Sequence, residues 1–172
     1  MKTLIVYYSK KGENWFNGEK KILEKGNTEL VAQYLKDICK GDMFQIVMKN
    51  PYPMDYDECC KKAYDDVNNN VRPILENDID ISKYENIFIC YPIYWSTCPM
   101  AILSFIKDKD FTSKNVYLIS THEGSGLGSS KYNIEKENIT LKIKNSLPIP
   151  GTLASKSYNR LKNFVDENLI ID

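Results

Sequence analysis

The chain has 172 residues, with 23 Lys and Arg against 23 Asp and Glu, so its formal net charge is zero. That length suits one domain with a sizeable core, and the charge balance excludes a basic nucleic-acid surface or a polybasic membrane anchor as the main theme. Hydrophobic residues make up 42% and charged residues 27%, which points to a folded globular chain rather than disorder, and no apolar run approaches the roughly 18 residues of a membrane span.

The first strand is predicted over 4–8, where Leu4, Ile5, Val6, Tyr7 and Tyr8 run without polar alternation. Such a run suits a strand buried on both faces of a parallel sheet. Residues 10–26 then break the rhythm: they are polar, with Trp15 and Phe16 just before Asn17 and Gly18. Asn-Gly signals a two-residue hairpin, because both central positions of that turn need positive φ. The stretch reads as a short hairpin inserted between the first strand and the first helix, with Trp15 and Phe16 packing it rather than acting as a lid. From Thr28 onward, Leu30, Val31, Tyr34, Leu35 and Ile38 mark one face of a helix. A second strand is expected over 43–47, a polar helix over 56–67 and a third strand over 87–91. Pro99 can open a helix carrying Met100, Leu103 and Ile106. A fourth strand is expected over 116–119. The last strand has two equal alternatives, 139–143 and 147–151. Tyr158, Leu161, Phe164, Val165 and Leu169 mark a final helix.

Strands alternating with helices predict an open α/β sheet with helices on both faces, in a single domain over 1–172. The amino end has no signal-peptide pattern. The cysteines, Cys39, Cys59, Cys60, Cys90 and Cys98, are odd in number and include no Cys-x-x-Cys pair, and His122 is the single histidine. No zinc site is expected from that set. Reduced thiols in a cytoplasmic protein are expected. Cys90 and Cys98 read as packing thiols, and Cys59 and Cys60 as helix residues without a redox role.

In open α/β sheets, ligands bind beyond the carboxyl ends of the strands. Three loops lie there. After the first strand come Ser9 and Lys10, and beyond the inserted segment Gly26, Asn27 and Thr28, rich in hydroxyl and amide groups at a helix start. Free N–H groups and the helix dipole make that end a ready anion site. After the third strand come Pro92, Ile93, Tyr94 and Trp95, which place two large rings at a strand end. After the fourth come Thr121, His122, Glu123, Gly124, Ser125 and Gly126, where glycines let backbone approach a ligand closely. An anion pocket, an aromatic platform and a glycine-rich clamp suit a flat polar ring joined to a phosphate, and flavin mononucleotide (FMN) fits that description.

Here the chain resembles a known family. Ser9 with Gly26, Asn27 and Thr28 is similar to the phosphate loop of flavodoxin-like FMN-binding proteins, split here by residues 10–25. Tyr91 to Trp95, then Cys98, Pro99 and Met100, resembles the ring-binding segment of a short flavodoxin subgroup. Residues 121–130 resemble that subgroup's third loop, and 51–56 and 70–73 its middle section. The resemblance implies a flavodoxin-like three-layer sandwich with a five-stranded parallel sheet in order 2-1-3-4-5. It implies FMN held by Ser9, Lys10, Asn27 and Thr28 at the phosphate, by Pro92, Ile93, Tyr94 and Trp95 at the ring, and by residues 121–126 at the pyrimidine edge. It implies a redox role, carrying electrons between protein partners. NAD(P)H-dependent reduction of quinones or other small acceptors is the alternative, and a cofactor-free interaction module the second alternative. A cation at His122 would raise the flavin's reduction potential, and Glu123 would offset it. The chain has no P-loop, no Gly-x-Ser-x-Gly elbow, and no acidic pair at the end of the first strand as a receiver domain needs.

Overall fold

Strand β1 (Thr3–Tyr7) is buried along its whole length because it runs in the middle of a sheet covered on both sides. The computed structural model describes residues 1–169. β1 pairs in parallel with β4 (Asp42–Gln45) on one side and β5 (Asn86–Pro92) on the other. β6 (Asn115–His122) and β7 (Ile143–Pro150) extend the sheet beyond β5, giving the order β4-β1-β5-β6-β7. Leaving aside the two strands of the inserted hairpin, β2 (Gly12–Phe16) and β3 (Glu19–Leu23), this is the expected order 2-1-3-4-5.

Side chains along β1 alternate between two cores, which is why the run is continuously apolar. Leu4 and Val6 join Ile87, Ile89, Tyr91 and Leu118 beneath α2 (Tyr56–Asn68), α3 (Met100–Ile106) and α4 (Ser130–Glu137). Ile5 and Tyr7 join Phe88, Cys90, Tyr117 and Ile119 beneath α1 (Asn27–Cys39) and α5 (Tyr158–Asn168). The result is three layers, with the carboxyl ends of β1, β5 and β6 opening at one rim.

The inserted segment forms an antiparallel ribbon of β2 (Gly12–Phe16) and β3 (Glu19–Leu23), paired only with each other. Its turn has φ 54° at Asn17 and 86° at Gly18, the two positive values that an Asn-Gly turn supplies. The ribbon brings the chain back beside its start. A Cβ at Gly26 would collide with Ser9 Oγ and lie 2.5 Å from the Lys10 carbonyl oxygen, so only glycine fits there.

Two elements differ from the sequence reading. β7 overlaps both proposed positions, beginning at Ile143 and running through Pro148 to Pro150. It is an edge strand, where proline's missing N–H costs no ladder bond. Ile139, which favoured the earlier position, is 81% exposed in the turn before it. Helix α4 was not anticipated, because its exposed face dominates: only Ser130 and Ile134 are buried.

Candidate functional site

The three loops converge on one cleft of about 550 Å³, within the size range of small-molecule sites. Ser9, Lys10, Asn27 and Thr28 line one end. Pro92, Ile93, Tyr94 and Trp95 of the second loop line it as well, with Thr121, His122, Glu123 and Ser125 of the third. Gly124 and Gly126 do not border it; they shape the third loop, with φ 132° and 62°.

At the first end, α1 starts behind Gly26 without a side-chain cap. Ser9 Oγ accepts from the Glu29 N–H at 3.1 Å. Among the described residues, the N–H groups of Asn27 and Thr28 have no partner in the protein. Thr28 Oγ1 lies 2.7 Å from Thr121 Oγ1 in a buried contact that ties the first loop to the third. Uncapped N–H groups, three hydroxyls and the positive end of a helix meet here, a donor set suited to phosphate.

The second loop turns sharply. Tyr94 and Thr97 exchange backbone hydrogen bonds of 2.8 and 3.0 Å, and Trp95 and Ser96 sit at φ 50° and 60°. A left-handed conformation at a residue with a side chain costs on the order of 1–2 kcal/mol. Neighbours hold it: the Ser96 carbonyl accepts from the Ser129 N–H at 2.7 Å and from its hydroxyl at 3.0 Å. Gly128 packs flat on that carbonyl, where any Cβ would collide. The turn separates the two rings. Tyr94 points inward against Tyr8 and Tyr52, at centroid distances of 6.3 and 6.0 Å. Among the described residues its buried hydroxyl has no hydrogen-bond partner, and burial holds its pKa well above the ordinary phenol value. Trp95 points outward and is 53% exposed. Its Nε1–H donates to the Cys60 carbonyl at 2.8 Å, and its ring meets Tyr64 edge-on at 4.8 Å.

In the third loop, His122 Nδ1 accepts from the Gly124 N–H at 3.0 Å, which leaves the proton of the neutral ring on Nε2. Burial, reinforced by Arg160, holds the imidazole below its ordinary pKa against the opposing pull of Glu123. His122 is therefore an uncharged ring at neutral pH, not the cation considered from the sequence. Glu123 instead reaches the ribbon, accepting from the Asn17 N–H at the turn, 3.2 Å away.

The sequence reading did not foresee one whole wall of the cleft. Asn14 and Trp15 from β2, and Tyr56, Asp57, Cys59, Cys60 and Ala63 from α2, complete its lining. Trp15, expected to pack the ribbon, lies on Tyr56, ring centroids 5.8 Å apart, and lines the cleft. The missed signal was a tryptophan beside an Asn-Gly turn, too far from any core strand to be buried. Cys59 and Cys60 border the cleft as well, and burial pushes the Cys59 thiol up to about 11. Among the described residues, no cluster of His, Cys, Asp and Glu could hold a metal ion.

A doubly wound parallel sheet with a phosphate-ready helix start and an aromatic turn at its carboxyl rim defines a nucleotide-binding α/β protein. The flavodoxin family model matches residues 22–168, and the chain belongs to that family. β1, Ser9 and most of the ribbon lie ahead of the matched span. Among solved structures, the chain is similar to one named as a flavoprotein from Bacteroides eggerthii, with 23% identity, TM-score 0.78 and coverage of 99% of each chain. It is similar to another named as a flavoprotein from Bacteroides uniformis, with 20% identity, TM-score 0.75 and coverage of 96% and 97%. It is also similar to a flavoprotein in complex with FMN from Lactobacillus acidophilus, with 18% identity, TM-score 0.65 and coverage of 93% and 97%. These likenesses are of fold. No curated protein matches the chain.

Proposed function

We propose that the chain is an FMN-binding redox protein that carries electrons between protein partners. The observation that carries the FMN assignment is the uncapped start of α1, with two free N–H groups beside Ser9, Thr28 and Thr121, in a cleft whose other loops present Trp95, His122, Glu123 and Ser125. The phosphate is held by Ser9, Asn27 and Thr28. The flat ring lies along Pro92, Ile93 and Trp95 and against Thr121, His122, Glu123 and Ser125. Tyr94 braces the turn from below. Lys10 supports the wall rather than the phosphate, since its ammonium donates to the carbonyls of Glu13 and Met54 at 2.5 and 2.9 Å. Bound FMN supplies reversible one- and two-electron chemistry. The family and the FMN complex of the Lactobacillus acidophilus flavoprotein support this reading.

A second reading, NAD(P)H-dependent reduction of small acceptors, is favoured by one feature: the wall of Trp15 and Tyr56 leaves aromatic surface in the cleft beside the proposed FMN loops. Anaerobic reduction with dithionite, NADH and NADPH, followed in the visible spectrum, separates the two. The carrier is reduced by dithionite and not by either nucleotide; direct bleaching by a nucleotide supports the reductase. Purified protein that takes up no flavin sinks both.

A further inference from the structure

The ribbon of β2 and β3 is held differently from the rest of the molecule. None of its residues is buried, and none of its side chains joins either core. A two-stranded ribbon is at best marginally stable alone, so its attachments fix its place. They run to two different walls of the cleft. On one side the Lys20 ammonium lies 2.6 Å from Asp57 and 3.7 Å from Glu13, and Glu13 accepts the Tyr56 N–H at 2.9 Å. Tyr56 and Asp57 belong to α2 and line the cleft. On the other side the Asn17 N–H, at the tip, donates to Glu123 Oε2 in the third loop. The ribbon's own Asn14 and Trp15 line the cleft as well. It therefore bridges the cleft from α2 to the third loop.

Glu123 is seated for that contact. A Cβ at Gly151 would lie 2.1 Å from Glu123 Oε1 and 2.6 Å from Asn27 Nδ2, so the bare glycine gives the carboxylate a berth beside the phosphate end. Its second oxygen is left for the ribbon tip. Each attachment is weak. The Lys20 and Asp57 side chains are 37% and 74% exposed, and exposed ion pairs contribute little. A segment held by a few exposed polar bonds and no apolar burial opens locally more readily than a core sheet. The feet of the ribbon stay in place meanwhile, because Lys10 is bonded to the Glu13 and Met54 carbonyls and Gly26 packs on Ser9 and Lys10.

We propose that the ribbon is a strap across the cleft, latched to α2 by Lys20 and to the third loop by Glu123, and that FMN enters and leaves only when the strap opens. The proposal rests on the FMN reading of the cleft, and it holds whichever donor reduces the flavin. A gate has a kinetic signature. Weakening a latch makes the open state commoner with and without ligand, so association and dissociation speed up by the same factor and their ratio is kept. Loss of a contact with bound ligand speeds dissociation alone.

The test mixes the FMN-free full chain with FMN in a stopped-flow fluorimeter for the association rate, and dilutes the loaded protein for the dissociation rate. Lys20 touches no residue assigned to FMN except through the strap, and Lys20→Ala is expected to raise both rates about fivefold with Kd held within about twofold. Glu123 borders the cleft itself, so two variants are compared there. Glu123→Gln and Glu123→Ala both lose the charge, but only alanine loses the acceptor for the Asn17 N–H. Glu123→Ala should release FMN about fivefold faster than Glu123→Gln. The strap is refuted if Lys20→Ala speeds dissociation alone, which makes the ribbon a fixed wall, or if it changes neither rate. Equal release from Glu123→Ala and Glu123→Gln removes the latch. Wild-type protein that takes up no FMN fails the underlying reading instead, a result visible before any rates are compared.

Discussion

Gly26 joins the ribbon to the phosphate end at a spot with no room for a methyl group. Gly26→Ala must push Ser9 or the Lys10 backbone aside, at a cost of about 1–3 kcal/mol. We expect a lower melting temperature and weaker FMN binding together, checked by thermal unfolding and flavin titration. Thr28 is 2% exposed and bonded to Thr121. Thr28→Leu should lose that bond and crowd the helix start, and an unchanged FMN affinity would refute the phosphate assignment. Trp95→Ala tests the ring platform in the same way: the flavin spectrum and affinity should both change. For His122, an NMR titration should show a midpoint below the ordinary value of about 6.5. Because folding favours its neutral form, His122 costs stability only as the pH falls below that ordinary value, and none at neutral pH. These residues were legible because hydroxyls, amides and glycines at strand ends have few purely structural reasons to cluster. The inward turn of Tyr94 was not legible, since nothing in the order Tyr94, Trp95 says which ring the left-handed turn sends outward.

Among the elements, the end of α2 and α4 are joined by an ion pair that does not line the cleft. Arg72 follows α2 and grips Glu137 at the end of α4 through bonds of 2.8 and 2.5 Å, with the two side chains 20% and 17% exposed. The Arg72 hydrogen bond holds the Glu137 carboxyl below its ordinary pKa. Its contribution is therefore full above the unfolded value of about 4.3 and disappears as the pH falls through the lowered one. Arg72→Met should cost about 1–2 kcal/mol after allowance for solvent, read as a shift in the urea midpoint. The pair was invisible in the sequence because its partners lie far apart along the chain. The ribbon was the opposite case: one dipeptide predicted it, since few other turns need two consecutive positive φ values. α4 escaped notice for want of an apolar stripe, and the start of β7 because alternation at 139–143 imitated a strand where the chain turns.

Across the whole molecule, the sheet was readable from its runs of Leu, Ile, Val, Phe and Tyr, because strands covered on both faces leave no polar positions to blur them. Its order followed from the family resemblance, not from the runs themselves. The wall of the cleft was less readable, because it depends on a ribbon folding back over a helix, and no local pattern encodes that meeting. FMN binding should also register globally. A ligand that binds only the folded state at about a hundred times its Kd adds about 2.7 kcal/mol. For a chain of this size that is a rise in melting temperature of roughly 5–10 °C. Calorimetry with and without FMN checks it, and no rise at saturating FMN would contradict the assignment.

The ribbon leaves the end of β1 beyond Ser9 and hands the chain to α1 at Gly26, with its two ends touching. A segment with closed ends is a cassette: its length and contents can be rewritten without changing the spacing of what it interrupts. Descendants of such a chain can exchange one face of the binding chamber in a single insertion or deletion, while the grip on the nucleotide's tail is inherited intact. The shape of that face and the hold on the tail are thereby free to diverge separately.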